Sequence, residues 1–178
     1  MAVFEKLLDQ ISKGQLWENV KVIHRNEYIK VAGSVESHLY HILTGSVRIF
    51  MIDENEEHTI RFGYQNSIVT CLDSFLTNKP TSFYIQALKK TEFRSVKKSD
   101  FNILMDQTPL NQHLWKQILE AFVIQQMERE TDLLTTNPEE RYHRVLKRSP
   151  QLFQEIPHKY IASYLRMSPE TLSRLKKS

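Results

Sequence analysis

The residues best equipped for chemistry stand at the C-terminal end, in HKYIASYLRMSPETLSRLKKS (158–178). Ile161, Ala162, Leu165, Met167, Leu172 and Leu175 have the spacing of two short helices sharing one apolar face, broken by a tight turn. Ser168 is placed to cap the second helix, with Pro169 at its first position. Two helices that cross this closely need a small facing residue, which suits Ala162. The turn usually takes glycine for a positive φ; Arg166 stands there, at a cost on the order of 1 kcal/mol. The second helix would then show solvent Glu170, Thr171, Ser173, Arg174, Lys176 and Lys177. Together these side chains supply a carboxylate that accepts from cytosine, hydroxyls, a guanidinium able to grip guanine with two hydrogen bonds, and lysines suited to phosphates.

Other reactive residue types are sparse. Cys71 is the only cysteine, which excludes an intramolecular disulfide and a multi-cysteine metal site. It lies in an apolar stretch with no adjacent base, the setting of an inert thiol. His38 and His41 are three apart, which on a strand sends them to opposite faces, and nothing requires His24 or His58 to converge with either. No G-x-S-x-G, P-loop or G-x-G-x-x-G occurs. The reading is of a non-enzyme with no metal and no cofactor.

The elements that must position the C-terminal residues follow from pattern. Val3, Phe4, Leu7, Leu8 and Ile11 predict a helix over 3–13. From about 20 to 98 come short β-branched and aromatic runs: VKVIH, EYIKV, HLYHIL, SVRIFMI, HTIRFG, NSIVTCL, FYIQAL and EFRSV, separated by AGS, TGS, DENEE and NKPTS. Such runs without helix-length segments between them predict an antiparallel sandwich or barrel. Asp100–Met105 reads as a short helix, and Pro109 opens a long one reaching about Thr135. Its apolar residues exceed one stripe, so it is buried on more than one side, either between two units of the chain or against a second copy. Leu114, Ile118, Ala121 and Phe122 are the expected dimer contacts. Asn137-Pro138-Glu139-Glu140 starts a further helix, to about 148, and another pattern begins near Pro157. The fold class is therefore α+β in three parts: a β-roll or jelly-roll sensor (1–108), a long dimerisation helix (109–136) and a helix-turn-helix unit (137–178).

Of 178 residues, 40% are hydrophobic and 25% charged, a balance that excludes disordered and fibrous chains. Residues 139–178 carry nine Lys/Arg against four Asp/Glu, whereas the preceding 138 carry 15 against 17. That asymmetry fits either a solvated basic face or a polyanion-binding module on a near-neutral body. No apolar run suffices to cross a bilayer and the N-terminal segment lacks a secretion pattern, so a cytoplasmic protein with no membrane partner is expected.

Taken in order, these segments resemble the Crp/Fnr family of bacterial transcription regulators. AGSVESHLYHILTGSVRIFMIDENEEHTIRF is similar to that family's β-roll with its Gly33 and Gly45 turns, IQALKKTEFRSVKKSDF to the closing strands and following helix, and IPHKYIASYLRMSPETLSRLKK to its DNA-reading helices. SFLTNKP and SPETLSR resemble a Bacteroidetes-type branch. The resemblance implies a homodimer on a twofold-symmetric site in double-stranded DNA, with RNA polymerase as a further partner. It places base reading on Glu170, Ser173 and Arg174, with Ser168, Thr171, Lys176 and Lys177 on the DNA backbone. Two departures stand out. No wing hairpin follows the second helix before Ser178. At the effector position, the Gly-Glu and Arg-Ser pairs of nucleotide-binding members fall on Thr70-Cys71 and Thr81-Ser82, so cyclic nucleotide is not expected as effector. A competing reading is a ligand-sensing regulatory subunit that acts through protein contacts without binding DNA.

Overall fold

The computed structural model describes residues 2–176. Helix α1 (Ala2–Lys13) precedes eight strands: β1 (Lys21–Ile23), β2 (Tyr28–Lys30), β3 (His38–Thr44), β4 (Ser46–Asp53), β5 (Glu56–Tyr64), β6 (Ile68–Val69), β7 (Tyr84–Ala87) and β8 (Thr91–Lys97). They form two four-stranded antiparallel sheets, ordered β1-β8-β3-β6 and β2-β7-β4-β5. Their shared core holds Tyr40, Ile42, Val47, Ile49, Val69, Cys71, Ile85 and Phe93. Only Gly45 separates β3 from β4, at φ +88°, where an added Cβ would meet Lys90 O at 2.4 Å. Glu54 and Asn55 both have positive φ, the pattern of the two-residue hairpin turn, and this closes β4 on β5.

One expected strand is different. NSIVTCL is extended only at Ile68–Val69, and α2 (Leu72–Thr77) follows between β6 and β7. Past Val69 the chain leaves β3: Thr70 Oγ1 donates to His38 O at 3.0 Å, and Cys71 O accepts from Phe75 N to begin the helix.

The helical part comprises α3 (Lys98–Asp106), α4 (Pro109–Leu134), α5 (Pro138–Arg148), α6 (Pro150–Glu155), α7 (His158–Tyr164) and α8 (Pro169–Leu175). Thr108 caps α4, its hydroxyl accepting from Asn111 N at 3.1 Å, and Asn137 caps α5, accepting from Glu139 N at 2.9 Å. The sequence reading ends a helix before Ser149-Pro150 and misses α6, because Pro150 serves here as a first helical residue and not only as a stop. Leu7, Ile11, Phe75, Phe101, Leu104, Met105, Leu114, Ile118 and Phe122 form a second core joining α1, α2, α3 and α4. A third, of Tyr142, Val145, Leu152, Ile156, Tyr160, Ile161, Leu165 and Leu172, joins α5 through α8 and reaches Phe62 and Leu88 of the β-roll.

Candidate nucleic-acid interface and effector pocket

In the β-roll, Thr70, Cys71 and Thr81 are all buried, and Ser82 is exposed. Two acids, Glu36 and Asp73, bond beside them. Glu36, 1% exposed, has Oε1 accepting from Ser37 N (2.9 Å), His38 N (3.1 Å) and Tyr40 Oη (3.0 Å). Burial and this carboxylate push the Cys71 thiol up to about 12 and the Tyr40 phenol well above its usual range. Thr81 Oγ1 donates to the Asp73 carboxylate at 3.0–3.1 Å and accepts from Phe83 N at 3.1 Å. The nearest ammonium, Lys30 Nζ, sits 3.8 Å from Glu36 Oε1 and donates to Val35 O. Lys79, between α2 and β7, is exposed. Around Thr70, Cys71 and Thr81 the structure thus presents two carboxylates and a protonated thiol. The sequence pattern does not mark Glu36, since a single acid between Val35 and Ser37 has no spacing signal.

At the C-terminal end, α7 and α8 pack through Ile161, Ala162, Leu165 and Leu172, all at most 1% exposed. The turn between them passes through Arg166 at φ +48°, the left-handed conformation expected there. Arg141 of α5 supports it: Nη2 donates to Arg166 O at 3.1 Å and Nη1 to Thr135 O at 2.6 Å. Nothing in the sequence pattern marked Arg141, because its acceptors are backbone carbonyls. Ser168 Oγ accepts from Thr171 N at 3.2 Å, so Ser168 and Thr171 are joined at the start of α8. Glu170, Ser173, Arg174 and Lys176 are exposed. The Glu170 carboxyl is held below the usual range by its own backbone N–H and by Ser168. Lys176 Nζ lies 2.6 Å from His158 Nε2 of α7. Lys177 lies outside the described residues.

The cyclic nucleotide-binding domain pattern matches residues 20–108, half of the chain. The chain belongs to the cyclic nucleotide-binding domain family. Solved structures extend the likeness of fold into the helices. Catabolite activator protein from Thermus thermophilus matches 99% of this chain and 85% of that one, at 22% identity and a TM-score of 0.61. FixK2 from Bradyrhizobium japonicum matches 89% and 82%, at 17% identity and TM-score 0.74, and the c-di-GMP responsive global regulator CLP of Xanthomonas campestris 97% and 90%, at 12% and 0.67. No curated protein matches in sequence.

In this member of the cyclic nucleotide-binding domain family, the long helix after the domain corrects one expectation. Leu114, Ile118 and Phe122 are at most 7% exposed because α1, α3 and the α2 segment cover them within the chain, and Ala121 is half-buried. Residues enclosed in one protomer offer no surface to another. The uncovered apolar face of α4 is instead Leu110, Val123, Ile124, Met127 and Leu134, each more than half exposed. Several side chains tie the cyclic nucleotide-binding domain to the helices beyond it. Arg48 of β4, 4% exposed, pairs with Glu57 at 2.6 Å, donates twice to Gln86 Oε1, and lies over the rings of Phe50 and Tyr160. Lys89 meets Glu155 at 2.8 Å. Asp132, fully buried at the end of α4, accepts from Arg144 and Arg148 of α5. Among the described residues no helix is long and apolar enough to cross a membrane.

Proposed function

We propose that this protein is a sequence-specific DNA-binding transcription regulator, acting as a homodimer, whose β-roll has lost cyclic-nucleotide binding. The carrying observation is the α7–α8 pair: a close crossing at Ala162, a left-handed turn at Arg166 held by Arg141, and an outer face of α8 bearing Glu170, Ser173 and Arg174. A helix-turn-helix reads DNA by placing the N-terminal part of its second helix in the major groove, where those three side chains would meet base edges. Ser168, Thr171, Lys176 and Lys177 then face the phosphates. The relatives of like fold include proteins named as an activator and a global regulator, which supports the same reading, and RNA polymerase contact follows from the family resemblance.

Dimerisation is assigned to the exposed apolar face of α4. Leu110, Ile124, Met127 and Leu134 fall on one side of the helix, in the series 110-113-117-120-124-127-131-134 with steps of three and four residues; His113, Gln117, Glu120 and Thr131 hold its other positions, so the apolar part of the seam is its ends. In the sensor, Thr70, Cys71, Thr81 and Ser82 supply no charge for a phosphate, and the buried Glu36 opposes one. A buried phosphate needs a charge-assisted donor. Selection of bound fragments from random double-stranded DNA, followed by sequencing, tests the reading: an enriched two-part motif is expected. Recovery of no motif favours a regulatory subunit that works through protein contacts.

A further inference from the structure

A cleft of about 710 Å³ opens where the β-roll meets the helices, with Phe4, Arg61, Phe122, Arg129, Gln151 and Tyr164 in its walls. That volume is of the size that holds a small molecule, and Cys71 and Thr81 do not line it. Three guanidinium groups do. Arg148 is committed, 3.4 Å from Glu128 and bonded to Asp132. Neither Arg61 nor Arg129 forms an ion pair among the described residues. Arg129 is 7% exposed, and its Nη1 is buried with no hydrogen-bond partner among the described residues. Its guanidinium stands 3.5 Å from the centre of the Tyr164 ring, and that of Arg61 stands 5.1 Å from the Phe122 ring. An aromatic face attracts a cation but leaves the in-plane N–H donors unbonded. Burial lowers the pKa of both arginines; at Arg129 the Asp132 carboxylate, itself bonded to Arg144 and Arg148, offsets this only in part. The acids in the walls do not supply a counter-ion: Glu128 is engaged by Arg148, and Glu5 is exposed on α1.

We propose that this cleft binds a small organic anion, a carboxylate or phosphate monoester with an aromatic or apolar body, whose charged group pairs with Arg61 and Arg129. Phe4 and Phe122, with ring centres 5.5 Å apart, offer the body an aromatic wall. Because the walls come from α1, β5, α4, α5, α6 and Tyr164, an occupant touches both the sensor domain and the helices that lead to α8. Its existence does not depend on the DNA-binding reading.

The test is calorimetric titration of the full chain with phenyl phosphate, benzoate and inorganic phosphate. Saturable binding of an organic probe at or below about 1 mM is expected, with inorganic phosphate weaker by about tenfold for want of a body. Arg129→Gln and Arg61→Gln should each weaken the organic probe by about tenfold or more, and the surface control Arg25→Gln should leave it unchanged. Should Arg129→Gln fail to fold by circular dichroism, Arg61→Gln decides, since Arg61 is only half-buried. Failure of both organic probes to bind saturably, or binding that Arg61→Gln leaves unchanged, overturns the proposal. DNA affinity is not a readout of this experiment, so a failure of the regulator reading would show separately.

Discussion

At the scale of single residues, two groups make opposite uses of their surroundings. Arg174 is exposed on α8, and in the proposed complex its fork meets a guanine edge, a contact contributing about 1–3 kcal/mol of discrimination. Arg174→Ala should therefore flatten base preference at one position per half-site, and Glu170→Ala at another. Fluorescence anisotropy against single-base variants of the selected site measures this, and an unchanged preference would remove α8 as the reading element. Cys71 is the reverse case, sealed at 1% exposure with its pKa pushed up to about 12. At pH 8 the folded protein should react with iodoacetamide on the order of a thousandfold more slowly than the chain in denaturant, since the thiolate is the nucleophile. The linkage follows. An unfolded thiol gives up its proton near pH 9, and the folded one keeps it to about 12. Stability from this group is thus whole below pH 9 and falls as pH rises from there. Urea melts of wild type and Cys71→Ser between pH 8 and 10.5 should diverge in slope, the wild type losing stability faster.

At the scale of elements, α4 carries two apolar faces with different fates. Ile118 is 0% exposed inside the chain and Ile124 58% exposed outside it. Ile118→Lys puts an unpaired charge into a core and should unfold the protein or cost more than about 3 kcal/mol. Ile124→Lys should leave the melting temperature of the protomer nearly unchanged but halve the mass in analytical ultracentrifugation. A monomeric wild type would remove the dimer assignment. The contrast shows where sequence pattern reached and where it stopped. Apolar excess on α4 was visible, since Leu114, Ile118, Phe122, Val123, Ile124 and Met127 cannot share one stripe. Which face went inward was decided by the docking of α1, nearly a hundred residues upstream, and of the neighbouring α3, and neither docking has a local signature. Caps are different: Thr108, Asn137 and Ser168 act within three residues, and for Asn137 and Ser168 they were legible as sequence. Pro150 misled for a local reason as well, because proline ends one helix and opens another with equal ease. Glu36 and Arg141 were illegible because what encloses the first, Ser74 Oγ accepting from its N–H at 2.7 Å, and what the second holds, the carbonyl of Arg166, are brought near only by the fold.

For the whole molecule, the proposed division into sensor and reader frames what a signal would have to do. Arg48 against Tyr160, Lys89 with Glu155, and Asp132 with Arg144 and Arg148 hold the β-roll, α4 and the C-terminal helices together. On the proposed reading, cyclic AMP and cyclic GMP should not shift DNA affinity, because Glu36 and Asp73 set carboxylates beside Tyr40 and Thr81, and Lys30, the nearest ammonium, is already engaged by Glu36 and Val35. Micromolar binding of either by calorimetry would return Lys79 or Lys30 to consideration as its partner. The geometry of the proposed dimer sets a stricter condition. A pair of α8 helices related by a twofold along α4 must enter successive major grooves on one side of the duplex, about 34 Å apart. Inserting about five base pairs between the half-sites turns the second to the opposite face of the helix, half a turn away. One protomer then binds while its partner meets phosphate alone, so affinity should fall to that of an isolated half-site while base preference within each half is kept. Lysine–phosphate contacts survive the insertion, and the residual binding should weaken steeply with salt. If affinity is indifferent to the insertion, the two reading helices are not coupled through α4, and the dimer assembles elsewhere or not at all.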